Sequence, residues 1–462
     1  METPRTRYLG LMRIVSIVPV TCMLLFASLN WRLVLDYVCM DREALFIVRR
    51  WTLPAPAPTP FSTKTRYDAA LPFEPQSLDD LRSLPQCKLV QMNALLRHGT
   101  RYPMAPEFAK MQDVLVWLQS TFHDDVPGWL QAYNFSYDAH AAEGLAPAGI
   151  HELTGLGQRA GRLADLVGLS RDYTPERYVI EHTHVARTKA SAIAFANAYF
   201  TNASSVAYVV KPAGEDIELR FFDNCPRYLR DVRNNKTAMT IETKRFEASA
   251  RAQELLTELH RSLQLPPTAP LSFSELKTIY DACSYEVALF HDRRTWCRLF
   301  SAKALGLLDF HADLKKYYEC GTGYAIDYAI AAPLLAHMLR TMEAAASNPS
   351  SGVVGYFRFA HAETLLPLVC LLGLCTDTKL RAAFDDDEIA QRVFRVAAIS
   401  PFGGNVAFHL FACGGEHRVQ LLLNERLVRL PSCGEKGYCT LPELRTIYAT
   451  ALTFNFTEHC RV

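Results

Sequence analysis

An α/β core interrupted by an all-helical segment is the fold class that the sequence predicts, and three observations predict it. First, apolar runs of strand length are each followed by a helix-spaced stretch: KLVQMNALL (88–96) before PEFAKMQDVLVWLQSTF (106–122), RYVIEHTHVA (177–186) before RTKASAIAFANAYF (187–200), and VVGYFRFA before HAETLLPLVCLLGL within 353–374. Second, this alternation lapses from about 240 to 345, where KRFEASARAQELLTELHRSL, SELKTIYDACSYEVALF and YAIDYAIAAPLLAHMLRTMEAAA read as helices. Third, each strand-to-helix junction carries residues suited to an anion: Arg97 to Arg101, Arg187, and His361 to Glu363. In open α/β sheets, ligands bind outside the carboxyl ends of the strands.

The chain opens with METPRTRYLGLMRIVSIVPVTCMLLFASLNW. Arg5, Arg7 and Arg13 precede an uncharged stretch from Ile14 to Asn30, which predicts an inside N-terminus with the remainder translocated. Phe26-Ala27-Ser28-Leu29 offers no clean A-x-A cleavage pattern, which favours an uncleaved signal anchor over a cleaved signal peptide. Residues 1–50 are therefore read as a cytosolic tail with a signal anchor or signal peptide, and 51–60 as an extended proline-rich spacer. Residues 61–462 are the folded part, with the helical insertion at about 213–345. Either reading of the N-terminus places that part on the lumenal or extracellular side of the secretory route, as a type II membrane-anchored or a secreted protein.

Within the folded part, ELTGLGQRAGRLADLVG (152–168) has helical spacing through Leu156, Leu163 and Leu166. Two late strands are expected at GNVAFHLFAC (404–413) and HRVQLLLNERLVRL (417–430), the second folding as a hairpin through Asn424-Glu425. The cysteines agree with an oxidising compartment: thirteen in all, eleven of them from Cys87 to Cys460, with no zinc-type spacing. Cys433 and Cys439 could close a short loop, and an odd count leaves at least one thiol outside the intrachain pairs. Four N-x-S/T sequons, at Asn134, Asn202, Asn235 and Asn455, fit the same compartment. With 49 basic against 48 acidic residues there is no global field for nucleic acid, so anion affinity must come from local placement.

The chemistry concentrates in RHGTRYP (97–103). Arginine presents a planar fork of donors that matches phosphate oxygens, and Gly99 lets the backbone turn tightly against a ligand. An imidazole among guanidiniums fits a nucleophile aimed at an anion that the arginines hold, which makes His98 the candidate nucleophile. Arg97, Arg101 and Arg187 would bind the phosphoryl group, since phosphoryl transfer is mostly positioning and charge stabilisation. Their spacing of two places His361 and Glu363 on one strand face, His361 suited to hold a phosphoryl oxygen and Glu363 to protonate the leaving oxygen and then activate water. His182 and His184 lack a carboxylate or cysteine placed to complete a metal site, and His291, His311 and His409 read as structural or surface residues. No GxSxG, Walker loop or GxGxxG is present.

RHGTRYP resembles the motif that opens the catalytic domain of the histidine acid phosphatases, clade 2 of the histidine phosphatases, which includes the phytases. FSTKTRYD (61–68), ELTGLGQRAGRL (152–163), ARTKASAIAF (186–195), CSYEVALF with WCRLF (283–300) and the HAE of HAETLLPLVCLLGL resemble the multiple inositol polyphosphate phosphatases within that clade. The resemblance spans roughly residues 61 to 430. It implies a histidine-phosphatase-like core, a mixed or parallel sheet flanked by helices, with an inserted α-helical domain. It also implies hydrolysis of inositol hexakisphosphate and lower inositol polyphosphates, and of 2,3-bisphosphoglycerate in some relatives, through a phosphohistidine on His98, with no metal and no organic cofactor. Lys64 and Arg66 are the expected substrate-specificity residues, and Arg227, Arg230, Arg233 and Lys236 of CPRYLRDVRNNK are weaker candidates. ECGTGYAIDYA (319–329) departs from a segment that is more basic in the family, with Glu319 and Cys320 as the altered positions. Two alternatives stand beside this reading: a general acid phosphatase for small monoesters, and a non-catalytic anion-binding membrane protein.

Overall fold

The computed structural model describes residues 60–70, 84, 86–348, 350, 352–375, 377–434 and 436–462. The expected N-terminal anchor and the spacer up to residue 59 lie outside the described residues. Strand β1 (Lys88–Arg97) is buried at every position but Lys88, as its near-continuous apolar run requires. Its two polar residues are satisfied inside: Asn93 donates to Met338 O and to Thr341 Oγ1, and Gln91 donates to Val353 O.

β1 sits at the centre of a mixed sheet. On one side it runs parallel to β4 (Gly355–Ala360), which runs parallel to β2 (Tyr178–His182), and β2 to the two-residue β3 (Tyr208–Val209). On the other side it is antiparallel to β5 (Asn405–Cys413), followed by β6 (Glu416–Leu423) and β7 (Arg426–Val428). The order is β3-β2-β4-β1-β5-β6-β7, with β8 (Cys439–Thr440) on β6. The β6–β7 turn is the expected hairpin: Asn424 and Glu425 both take positive φ, 50° and 61°, as the primed two-residue turn demands.

Helices cover the sheet. After β1 comes α1 (Ala105–Thr121), then α2 (Pro147–Leu166), and after β2 comes α3 (Ala186–Tyr199). Phe195 and Tyr199 of α3 lie 4.9 and 5.1 Å, centroid to centroid, from Phe357 of β4, which clamps the helix to the parallel half of the sheet. Between β3 and β4 the longer elements are all helices: α4 (Lys236–Glu247), α5 (Ala250–Ser262), α6 (Phe273–Phe290), α7 (Ala302–Cys320) and α8 (Ala332–Ser347). Helix α9 (Ala362–Leu371) leaves β4 directly. Among the described residues no helix is long and apolar enough to cross a membrane.

Among the described residues four disulfides join Cys87–Cys413, Cys225–Cys460, Cys283–Cys297 and Cys433–Cys439, the last closing the expected short loop. Cys320, Cys370 and Cys375 stand outside these pairs. Such a set fits an oxidising, secretory compartment. The Cys225–Cys460 bond spans 235 residues and ties the last turn of the chain to the helical segment. Replacing both cysteines by serine is expected to lower stability by about 2–5 kcal/mol. Calorimetry would show this as a fall in Tm of several degrees, and an unchanged Tm would contradict it.

Candidate active site

The register of the parallel strands builds the site. Arg97 of β1 pairs with Ala360 of β4, and His182 of β2 pairs with Phe359. One residue further along each strand come His98, His361 and Thr183, at one edge of the sheet. The ladder runs on into them, with His98 N donating to Ala360 O at 3.0 Å and Thr183 N to Phe359 O at 3.2 Å. The rings of His98 and His361 lie 5.6 Å apart, and Thr183 Oγ1 is 3.0 Å from His361 Nε2.

Beyond β1 the chain turns on Gly99. A Cβ there would fall 2.5 Å from Gly149 O, and one on Gly149 would fall 2.2 Å from Thr100 O. The two glycines let the loop after β1 press on the first turn of α2. One helical turn further, the buried carboxylate of Glu152 accepts from Thr100 N at 2.7 Å, Thr100 Oγ1 at 3.0 Å and Tyr67 N at 3.2 Å. These bonds hold the loop rigidly.

His98 is buried, and its Nδ1 lies 2.9 Å from Gly99 O. A carbonyl only accepts, so Nδ1 carries the proton and Nε2 keeps its lone pair. Burial and the charges of Arg97 and Arg187 push the imidazole pKa well below its ordinary 6.5, so the ring is neutral. The Arg97 guanidinium donates to Thr63 O and Ser400 O and lies 4.4 Å from the Phe402 ring centroid. Arg101 is held by Tyr285 Oη at 2.8 Å and Tyr102 O. Arg187 occupies the first turn of α3, 3.4 Å from Glu143. The Nε atoms of Arg97 and Arg187 are buried donors without a partner. Orphaned guanidinium donors beside a neutral imidazole suit an anion.

The strand-face argument for His361 and Glu363 is corrected by the structure. β4 stops at Ala360; His361 is the N-cap of α9, and Glu363 lies in its first turn. Both still line one cavity, because α9 starts at the strand end and its N-terminus favours negative charge there. His361 Nε2 is also 3.0 Å from Arg220 Nη1, and burial together with Arg187 and Arg220 holds its pKa well below the usual range. Glu363 Oε1 accepts from Lys316 Nζ at 2.7 Å. Burial alone would raise its pKa, but the charge and hydrogen bond of Lys316, with His361 and a backbone hydrogen bond, together hold the carboxyl well below the usual range.

These groups surround a cavity of about 490 Å³ lined by nine lysine and arginine side chains against four carboxylates. His98, Arg97, Arg101, Arg187, His361, Glu363 and Lys64 all reach it. Arg66 does not: its guanidinium is buried on Asp68 and Ala288 O, away from the cavity lining. Lys64 bonds Asp281 at 3.0 Å and sits on the rim. Of the basic loop 225–236 only Arg233 lines the cavity; Arg227 and Arg230 are exposed and paired with Asp231, and Lys236 is exposed at the start of α4. The sequence reading missed Arg220, Lys277, Lys315 and Lys316, which come from the segment between β3 and the end of α7. His311, read as structural or surface, lines the cavity while its Nε2 lies 3.0 Å from Glu247. His182 Nδ1 meets Thr183 O, and no group of three or more potential metal ligands occurs among the described residues. All four sequon asparagines are exposed.

Comparison with known proteins follows the same lines. The family model described as Histidine phosphatase superfamily (branch 2) matches residues 88–429. The chain is 29% identical over 427 residues to multiple inositol polyphosphate phosphatase 1 of Gallus gallus, covering 87% of this chain and 92% of that one. It is 28% identical over 409 residues to its Homo sapiens counterpart, covering 80% and 82%. Among solved structures, the phytase from D. castellii superposes with a TM-score of 0.71 at 18% identity, over 87% and 86% of the two chains. The Bifidobacterium longum multiple inositol polyphosphate phosphatase, in complex with inositol hexasulfate, superposes with 0.63 at 16% identity, over 87% and 99%.

Proposed function

Because the chain belongs to the histidine phosphatase superfamily, branch 2, we propose that it hydrolyses inositol polyphosphates, inositol hexakisphosphate and lower, through a covalent phosphohistidine on His98. The observation that carries this reading is the His98 imidazole. It is neutral, with its tautomer fixed by Gly99 O and Nε2 left as the nucleophilic nitrogen, beside orphaned guanidinium donors. Arg97, Arg101, Arg187 and His361 hold the phosphoryl oxygens, with Arg220 behind His361.

In the first step Nε2 of His98 attacks phosphorus, the N–P bond forms and the ester O–P bond breaks. Glu363, protonated in the substrate complex, gives its proton to the leaving alkoxide. In the second step Glu363, now a carboxylate, takes a proton from water as its oxygen attacks phosphorus. The N–P bond breaks, phosphate leaves and His98 is neutral again.

What lies beyond these groups supports the substrate class. A simple monoester needs no further cations, yet Lys64, Arg233, Lys277 and Lys315 line the same cavity. A ligand carrying several phosphates uses them. The names of the similar relatives support that choice. The four disulfides and the exposed sequons support a lumenal or extracellular location, membrane-anchored or secreted.

The test is phosphate release from inositol hexakisphosphate by the glycosylated chain, in chelator, beside 2,3-bisphosphoglycerate and a small aryl ester. Release from the inositol substrate is expected. A folded protein that cleaves only the small ester would leave a general acid phosphatase, and one that cleaves nothing would leave an anion-binding protein. Lys64→Ala is expected to raise KM for the hexakisphosphate about tenfold, the value of one charge-assisted contact, and to spare the small ester. Equal losses on both would remove Lys64 from the specificity set.

A further inference from the structure

Glu319 is outside the cavity lining, yet a single side chain separates it from Glu363. Lys316 of α7 places Nζ 2.7 Å from Glu363 Oε1 and 3.0 Å from Glu319 Oε2. Lys316 and Glu319 are three residues apart on one helix, so they share a face. Their side chains are 15% and 11% exposed, so water screens this pair weakly. One ammonium is therefore shared between a carboxylate in the cavity and another behind it.

We propose that Glu319 is a positioning residue for proton delivery: it is the alternative anchor of Lys316, and so lets Glu363 give up its cation and carry the proton that a leaving alkoxide needs. The inference rests on the phosphatase reading above. A lysine held by Glu363 alone would fix that group as a carboxylate, and a carboxylate cannot donate a proton. Removing the lysine from its only partner would strand a buried cation. With Glu319 in place, Lys316 always has an anion. When Glu363 passes its proton to the departing oxygen, the new carboxylate takes Lys316 back. When water returns a proton to Glu363 in the second step, Lys316 reverts to Glu319.

The other groups around the triad do not substitute for this exchange. Glu363 also feels Arg97, Arg187 and Arg233, whose charges are permanent and give a constant background. His361 is neutral, and burial raises the Cys320 thiol, so neither offers a charge to trade. Lys315 adjoins Lys316, and Asp327 faces Glu319; burial pushes Asp327 up to about 8, so it stays protonated at neutral pH. Glu319 is the carboxylate that meets Lys316 from behind.

The experiment compares wild type, Glu319→Gln, Glu319→Asp and Lys316→Gln by the pH dependence of kcat/KM. Two substrates are used: an alkyl phosphate, whose leaving group needs a proton, and a nitrophenyl phosphate, whose leaving group does not. Glu319→Gln leaves Lys316 to Glu363 alone. The alkaline limb on the alkyl ester should move to lower pH, with about a tenfold loss at the wild-type optimum, part of the ~10²–10⁴ that general acid catalysis supplies. The nitrophenyl ester should change by about twofold or less. Lys316→Gln should move the limb the opposite way, and Glu319→Asp should restore the wild-type limb. Limbs that coincide with wild type in both neutral variants, or equal losses on both esters with an unmoved limb, would overturn the proposal while leaving the phosphatase reading intact. A wild type that cleaves neither ester nor the hexakisphosphate would reject that reading, and this one with it.

Discussion

Replacing His98 by alanine is expected to reduce turnover by about four orders of magnitude or more, with the fold and the anion affinity retained. The size follows from what the residue does. Without a nucleophile the two-step route is closed, and only positioning and charge stabilisation remain. Retention of the fold follows from the surroundings. The backbone of residue 98 keeps both its bonds, to Ala360 O and from Gly403 N, and the loop remains anchored by Glu152. The guanidiniums of Arg97 and Arg101 are held by Thr63, Ser400, Tyr285 and Tyr102, not by His98. Inorganic phosphate should therefore still inhibit residual activity or register by calorimetry. Acid-labile radiolabel should be trapped from labelled substrate in the wild type and not in the variant. Label retained in H98A would move the nucleophile elsewhere.

Glu363→Gln has the second largest expected effect, a loss of about 10²–10⁴ in kcat on alkyl phosphates, and a smaller one on aryl esters. Glutamine keeps the size of the side chain but neither gives up nor takes a proton. The pH profile adds a signature. His98 must be neutral to attack, and its pKa lies below the ordinary imidazole value, so activity persists as pH falls below 6.5. Glu363 must be protonated to donate, and Lys316 opposes that, so wild-type activity is expected to fall as pH rises through the carboxyl pKa. The wild type is thus expected to work best on the acid side. The falling limb should flatten in the glutamine variant, and a limb that persists unchanged would assign the proton to another group.

Much of this site was legible because its central part is local in sequence. RHGTRYP places the candidate nucleophile, two candidate anion binders and the turning glycine within seven residues, at the end of an apolar run that forms a buried strand. The junctions at Arg187 and His361 were found by the same alternation of strand and helix. The error at His361 and Glu363 came from extending strand periodicity beyond Ala360: from there the chain is helical, and the capping position turns His361 toward the cavity. Lys64 and Arg66 show another limit. Lys64 ends a short 3₁₀ turn while Arg66 follows in the next segment, and the two side chains part company, one to the rim and one to Asp68 and Ala288 O. Arg220, Lys277, Lys315 and Lys316 carry no local signal. Charged residues on a helix look alike in sequence whether they face solvent or a cavity built from distant segments, and for the three lysines only the packing of α6 and α7 over the strand ends separates them.

That packing divides the cavity by origin. The proposed nucleophile His98 and the groups beside it are fastened to strand ends whose register fixes their spacing, and a shift of one residue there would dismantle the site. Lys277 and Lys315 are exposed side chains on helices that touch no strand hydrogen bond. Exchange of a lysine on such a helix costs little folding energy. The range of accepted esters is therefore open to stepwise drift, while the bond-breaking apparatus is not. Variants with altered preference among phosphorylated alcohols should arise first on those two helices, each reachable by a single codon change from a chain that is still active.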